Sequence, residues 1–545
     1  MSDTESSKTV TQRSSVIAIL VIAACSLIGG VVGPHVGSAA AASDKEAVKD
    51  YSHDLAAVLE IVQQNLAEQG DWSRAIYLGA IPAMLNSLDP HSQFFDPEAF
   101  GRLREEQRGH YAGVGMLIRQ FRGRTIVDQP FPDTPASRGG VRPNDIIDKI
   151  DGETTQGMNV TEVALAVKGP EGTPVRLSLM RKGESDPIEV VLERDEVHRP
   201  SIPNAFLIER SSGYIKIDNF NENTARELDD ALDRFGDKGL QGLILDLRGN
   251  NGGLLSAGVH VADRFLDRGQ TIVSHRGRAS RERVYSARQG NAGQRYPVVV
   301  LVDCQSASAS EIVAGALQDH DRALIVGTNT FGKGLVQSVF NLPETTGLVL
   351  TTARYYTPTG RLIQRPYDDR SLGEYYADPC RGGFRPSHED ARLTDNGRPV
   401  YGGGGIAPDI ELAPATLDDF QQRLQWERVF EGYAEQFRRE RPNAVDTWRA
   451  GEVELEQLRQ YLIADSVLFT AEDLDRHQDY MLRMITRHVF AAWRDMYAGS
   501  QVDAQLDPAV RRALELLPQA STLLRKDGAA LAQGHDGTPN GRRAP

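Results

Sequence analysis

Apolar residues between Ser43 and about Arg108 recur every three or four positions. Leu55, Val58, Leu59, Ile61 and Val62 form one stripe, and Ile76, Leu78, Ile81, Met84 and Leu85 a second. That period predicts a helical region over 44–108. Leu88-Asp89-Pro90-His91-Ser92 stops it, because proline disfavours helix at the residue before it. Over 109–199 the texture shortens to β-like runs: Val114–Ile118, Thr125–Val127, Ile146–Ile150, Val175–Met180 and Ile188–Leu192. One short helix, Thr161–Val167, and a turn at Asp151-Gly152 are expected among them. From Ser212 to Thr357, apolar strands (Gly213–Ile217, Leu243–Leu247, Tyr296–Val302, Leu324–Val326) alternate with helical segments (Glu227–Phe235, Leu254–Phe265, Ser308–Leu317). Such alternation predicts an α/β layered domain. The stretch from about Gln364 to Gly405 is rich in Gly, Pro, Arg, Asp and Tyr and reads as an irregular insertion. Residues 416–526 are helical and charged again, and 527–545 read as a disordered tail.

The N-terminal segment changes the setting. Lys8 and Arg13 precede an apolar run, Val16–Gly33, and small residues fill Ser38 to Ala42. Residues 1–43 therefore read as a signal peptide or a membrane anchor, and either places the remainder in a bacterial envelope. Cysteine is scarce: Cys25, Cys304 and Cys380. That excludes a disulfide framework and a Cys-based zinc site. Cys25 lies in the leader, so only Cys304 and Cys380 are left to pair. Cys304, at the end of an apolar run, reads as a buried, inert thiol. The net charge of −14, from 61 basic and 75 acidic residues, offers no basic field for nucleic acid or anionic lipid.

Three segments carry chemistry. In the first, the apolar run Val298–Val302 leads into Ser306, Ser308 and Ser310 and a helix. A helix N-terminus supplies unpaired N–H donors for a developing oxyanion, although the same serines also suit a helix cap. In the second, Lys333 lies between Gly332 and Gly334 after a buried strand, where desolvation would hold its amine neutral and basic. Gln337 shares a face with Lys333 if that stretch is helical. Gly327 to Lys333 also matches a phosphate-binding loop up to its last position, where Gly334 stands in place of Ser or Thr. In the third, Leu245–Leu247 enters a glycine-rich turn, Gly249 to Gly253, whose N–H groups suit an anion or simply a tight turn. A Ser-His-Asp triad has less support: His260 and His320 are in or beside helices of this region, and neither sits in a glycine-framed turn.

Together, and in this order, the segments resemble those of the C-terminal processing (tail-specific) peptidase family. By that resemblance Ser308 is the nucleophile, Lys333 the general base and Gln337 its orienting amide, and the N–H groups of Gly253 and Ala309 form the oxyanion hole. Upstream, Tyr111 to Met116, Thr134 to Ile147, Ile150 to Glu153 and Lys168 to Thr173 resemble the family's PDZ domain. This places Gly113, Val114, Gly115 and Met116 at the tail-binding element. Leu88 to Ser92, Thr351 to Gly360 and Gly405 to Asp409 resemble further family segments, so the likeness covers about residues 50–411. Gln305 departs from it, standing where the family usually has glycine.

The resemblance implies a multi-domain α/β architecture. A crotonase/ClpP-like protease core (200–415, with an irregular insertion at 366–400) carries an inserted PDZ domain (109–199), between helical regions at 44–108 and 416–526. It implies a serine endopeptidase with a Ser-Lys dyad, acting on protein or peptide substrates through their C-terminal tails, without metal or other cofactor. In the C-terminal helices, Phe420, Leu424, Val429 and Phe430 and then Leu455, Leu458, Tyr461 and Leu462 form stripes that read as packing within the chain, with self-association or adaptor docking as the alternative. Membrane contact is expected only through the N-terminal segment. The alternative is a catalytically silent PDZ scaffold or adaptor of the cell envelope.

Overall fold

A computed structural model describes residues 47–524 apart from 210, 237–239, 368–370, 378–379, 381–390, 415 and 444. The expected leader and tail lie outside the described residues. Two compact units divide the chain, 1–83 and 84–545. In the first, 47–65 is one helix, and the stripe through Val48, Tyr51, Leu55, Val58 and Ile61 is exposed. Among the described residues no helix is long and apolar enough to cross a membrane.

The second unit is organised around a six-stranded sheet in the order Asn204–Ile208, Ser212–Lys216, Gly242–Asp246, Val298–Val302, Leu324–Gly327, Ile410–Glu411. Its first pair is antiparallel and the rest are parallel. Parallel strands buried on both faces read as continuous apolar runs, and all five residues of Val298–Val302 are buried. Alternate residues divide between two cores. Val298, Val300 and Val302 join the helices Thr224–Phe235, Leu255–Asp263 and Ala309–Asp319 on one face. Val299 and Leu301 meet Val510, Ala513, Leu516, Leu517 and Ala520 on the other.

Those last residues belong to the helix Pro508–Leu523. The boundary expected at 415/416 therefore does not separate two cores, because a helix from beyond it covers one face of the sheet. The remaining C-terminal helices form their own core, in which Phe420, Leu424, Val429, Phe430, Leu458 and Leu462 are buried against Met484, Ile485 and Val489. These residues of the stripes seen in sequence pack within the chain.

A second sheet, built on Leu335–Asn341, Gly347–Tyr356, Thr271–Arg276, Arg283–Ser286 and Gln93–Phe95, was not expected. It corrects the conditional helix after Lys333, since Leu335–Asn341 pairs antiparallel with Gly347–Tyr356. The β-rich module is a third sheet, in the order Met116–Phe121, Arg124–Pro130, Ile146–Ile150, Pro174–Met180, Ile188–Glu193, with the helix Val160–Val167 packed near its first strand. Its incoming and outgoing segments, His110–Gly113 and Asp195–His198, zip together antiparallel. Among the described residues Met116–Phe121 pairs on one side only, leaving an open edge. An ion pair from Arg428 to Asp128 joins this module to the C-terminal helices.

Cys304 is not a free thiol. It is bonded to Cys380, with the Cα atoms 5.2 Å apart, within the ordinary range for a disulfide. Its environment is buried, as expected, but the partner comes from the insertion, 76 residues away in sequence.

Val510, Leu516, Leu517 and Leu523 each bury a side chain worth about 1.5–3 kcal/mol, together comparable with a domain's entire stability of about 5–15 kcal/mol. A chain ending before Pro508 is expected to lose cooperative unfolding and to aggregate. A soluble truncated protein with a sharp thermal transition would contradict this.

Candidate active site

At the C-terminal end of Val298–Val302 the chain turns through residues 303–307 into the buried helix Ala309–Asp319. The three serines here have different fates. Ser306 Oγ donates to the Leu247 carbonyl (2.8 Å) and accepts from the Asp303 N–H (2.9 Å). Ser310 Oγ donates to the Asn250 carbonyl (2.9 Å). Both are buried and tie the loop to the neighbouring glycine-rich turn. Ser308 is half-buried and sits at φ 55°, ψ −111°, a conformation costing about 1–3 kcal/mol for a non-glycine residue. The Glu311 N–H donates to the Ser308 carbonyl (2.9 Å), so the helix start is closed by main chain rather than by the Ser308 hydroxyl. Gln305 is not in a left-handed conformation, so this loop needs no glycine there.

The turn after Gly242–Asp246 lies against Ser308. Asn250 Nδ2 donates to the Ile217 carbonyl, and Asn250 Oδ1 accepts from the Gly252 N–H, both at 2.8 Å. A Cβ on Gly252 would fall 2.7 Å from the Ser308 Cβ and 3.1 Å from the Ala309 nitrogen, and one on Gly253 would fall 2.1 Å from the Phe220 carbonyl oxygen. Glycine is therefore required at both positions for this turn to reach Ser308. Neither the Gly253 nor the Ala309 N–H has an internal acceptor among the described residues.

Lys333 approaches from the loop after Leu324–Gly327. Its Nζ donates to Gln337 Oε1 at 2.6 Å. Gln337 is aimed there not by a helical face but by a register shift between Val336 and Gln337 in the hairpin. A bulge of this kind redirects a side chain. Gln337 Nε2 donates to the His91 carbonyl at 2.6 Å, so its oxygen is the end facing the amine. Burial lowers the Lys333 pKa, against the opposing pull of the Glu311 and Asp89 carboxylates.

Glu311 joins the two loops, although no motif assigned it a role. Its Oε2 accepts from the N–H groups of Ser308 (2.8 Å) and Lys333 (2.9 Å). Its Oε1 accepts from Thr330 Oγ1 (2.6 Å) and the Gly332 N–H (2.7 Å). Burial pushes its pKa up, and these four donors pull it back. The Tyr355 hydroxyl, also buried, donates to the Lys333 carbonyl and lies 3.1 Å from that of Ser308. A signal for Glu311 is nonetheless present in the sequence: a Ser followed three residues later by Glu at a helix start is a capping-box pattern. The same contacts dispose of the phosphate-loop reading, because the Gly332 and Lys333 amides that would cradle a phosphate are taken by an internal carboxylate.

In the β-rich module, Gly113 belongs to the zipped segments, and Val114 is buried, with its carbonyl accepting from the Ala136 N–H (2.8 Å). Gly115, at φ 79°, has Thr134 so close that a Cβ would lie 2.4 Å from it. Met116 begins the open-edged strand. Among the described residues no group of three or more His, Cys, Asp or Glu side chains is placed to hold a metal ion.

Residues 211–368 match the family model of peptidase family S41, and residues 126–181 match that of the PDZ domain. Residues 211–368 are thus similar to the S41 peptidases and residues 126–181 to PDZ domains. The chain is 41% identical over 290 residues to a carboxy-terminal-processing protease of Bartonella bacilliformis (52% of this chain, 66% of the relative). Against a carboxyl-terminal-processing protease of Synechocystis it is 39% identical over 285 residues (51% and 66%). The match thus spans just under two thirds of each relative's length. Among solved structures, a photosystem II D1 C-terminal processing protease is 29% identical, with 66% of this chain and 87% of that one covered and a TM-score of 0.35.

Replacing Glu311 by Gln would set an amide NH2 against two fixed N–H or O–H donors. Leaving buried donors unpaired costs about 1–3 kcal/mol each. Glu311→Gln is therefore expected to lose about 2–4 kcal/mol in urea unfolding and any activity that depends on the register of Ser308 with Lys333. Wild-type stability in the variant would show that the carboxylate does not hold the loops.

Proposed function

We propose that the protein is a serine endopeptidase of the C-terminal processing type, with Ser308 as nucleophile, Lys333 as general base and Gln337 holding the base. The observation that carries this reading is the placement of a desolvated lysine amine, fixed on Gln337, in a loop that shares one buried carboxylate with the strained Ser308. Lys333 takes the Ser308 proton as Oγ attacks the scissile carbonyl. The N–H groups of Gly253 and Ala309 donate to the developing oxyanion. The protonated Lys333 then gives its proton to the leaving amine, and the neutral amine activates the water that hydrolyses the acyl-enzyme. No step calls for a metal or organic cofactor.

The PDZ module supplies the tail-binding element in this reading. A substrate C-terminus adds as a strand along the open edge of Met116–Phe121. The segment Gly113, Val114, Gly115 and Met116 captures its carboxylate. The Cys304–Cys380 bond supports an oxidising compartment, in keeping with export to the bacterial envelope through residues 1–43 as leader or anchor.

The test compares wild type, Ser308→Ala and Lys333→Ala on an unfolded, tail-tagged protein substrate. Both variants are expected to fall at least about a thousandfold in kcat/KM, in line with the loss of a nucleophile or base that acts as part of a unit. A base works only when neutral, so wild-type kcat/KM should rise with pH through the Lys333 ionisation, which lies below the ordinary lysine value, and then level off. Equal cleavage by all three proteins would remove the dyad. Tail binding without cleavage by wild type would favour the silent scaffold.

A further inference from the structure

Lys333 is the start of a closed circuit of hydrogen bonds that leaves the dyad and returns to it. Its Nζ bonds Gln337 Oε1, and Gln337 Nε2 bonds the His91 carbonyl (both 2.6 Å). His91 is 4% exposed, and its ring contacts a tyrosine hydroxyl with each nitrogen: Nε2 with Tyr375 and Nδ1 with Tyr376, both at 3.0 Å. Tyr375 also accepts from Gln364 Nε2 (3.2 Å), and Gln364 Oε1 accepts from the Gly334 N–H (2.8 Å), beside Lys333.

Proton bookkeeping gives every bond a direction. Tyr376 donates to the Pro90 carbonyl (2.6 Å), so it accepts from His91 Nδ1–H. His91 Nε2 is then the acceptor, and Tyr375, already accepting from Gln364, donates to it. This satisfies a neutral imidazole and leaves a protonated one without a place for its second proton. Burial, with Lys333 and Arg365 facing the ring and Asp89 opposing them, pushes the His91 pKa down to about 4. The Arg365 guanidinium closes the packing, 3.9 Å above the Phe331 ring and 4.1 Å above that of Tyr375.

Tyr375 and Tyr376 belong to the helix Leu372–Ala377 of the insertion, a stretch to which no chemistry was assigned from sequence. The same stretch reaches Cys380, bonded to Cys304, four positions before Ser308. We infer that Tyr375 is a positioning residue for the general base: through His91 it fixes the Gln337 amide with its oxygen toward Lys333, so that the insertion is part of the catalytic assembly. This rests on the protease reading above.

The experiment measures kcat and KM of Tyr375→Phe, which keeps the ring and removes the hydroxyl, with thermal unfolding as a check on the fold. A drop of about tenfold in kcat is expected, with KM within about twofold and the melting temperature close to wild type. The second arm places Tyr375→Phe on Gln337→Ala and follows Ser308 acylation by a fluorophosphonate, which remains measurable at very slow rates. A residue that acts through Gln337 adds no further loss there. Unchanged kcat in the single variant, or the same fractional loss in both backgrounds, overturns the proposal. Should Tyr375→Phe fail to fold, His91→Phe, which keeps the main-chain carbonyl that Gln337 uses and removes the ring nitrogen that Tyr375 holds, is put through the same two arms, and the same outcomes support or overturn the proposal. Full activity in Ser308→Ala would instead overturn the protease reading, so the two failures are distinguishable.

Discussion

One buried carboxylate holds the two halves of the site in register. Ser308 and Lys333 arrive on loops from different strands. Glu311 takes a main-chain N–H from each, with Thr330 and Gly332 as further donors. An ionised carboxylate this deep is costly unless it is fully hydrogen-bonded, and here the bonds that offset its burial are those that set the loops. Losing any one of these partners leaves a charge incompletely satisfied, so Ser308, Gly332 and Lys333 are bound to a common position rather than merely near one another.

The same enclosure that makes Glu311 demanding makes Lys333 useful. Removing water from around the amine favours its neutral form, while Glu311 and Asp89 pull the other way. The balance depends on Gln337 presenting an oxygen, a polar partner without charge. Strain at Ser308 adds to the cost. The site therefore draws on the stability of the surrounding layers, the five-residue buried strand Val298–Val302 and the wholly buried helix Ala309–Asp319, which hold a conformation the local chain would not adopt alone.

The layered α/β region was legible in sequence because parallel strands buried on both faces leave unbroken apolar runs. Ile146–Ile150 in the β-rich module matched its expected span, and Gly213–Ile217 and Leu243–Leu247 were off by one residue. The second sheet was not legible. Its strand Leu335–Asn341 carries Gln337 and Ser338 among apolar residues, its far end is exposed, and a bulge breaks the alternation. Ser308, Lys333 and Gln337 stood out through their motifs. Asp89 and His91 stood in a segment picked out by resemblance but without a role, and Gln364 and Tyr375 in none, because their work is done by tertiary contacts: a main-chain carbonyl, an amide reaching across a loop, a hydroxyl on an imidazole. Cys380 was visible as a residue but not as a partner, since its pairing depends on where an irregular segment folds back.

The helix Pro508–Leu523 has a consequence for the order in which the molecule is made. A chain that is synthesised or exported from its N-terminus delivers the loops of Ser308 and Lys333 and all strands of the central sheet well before the helix that covers the face formed by Ile244, Val299, Leu301 and Val326. During that interval the sheet is apolar and bare on one side, a surface that needs either rapid completion or a holding factor to keep it from neighbouring chains. Assembly of this region is in this way tied to delivery of residues 508–523, and a nascent fragment containing every residue of the candidate site but lacking that helix is still a folding intermediate.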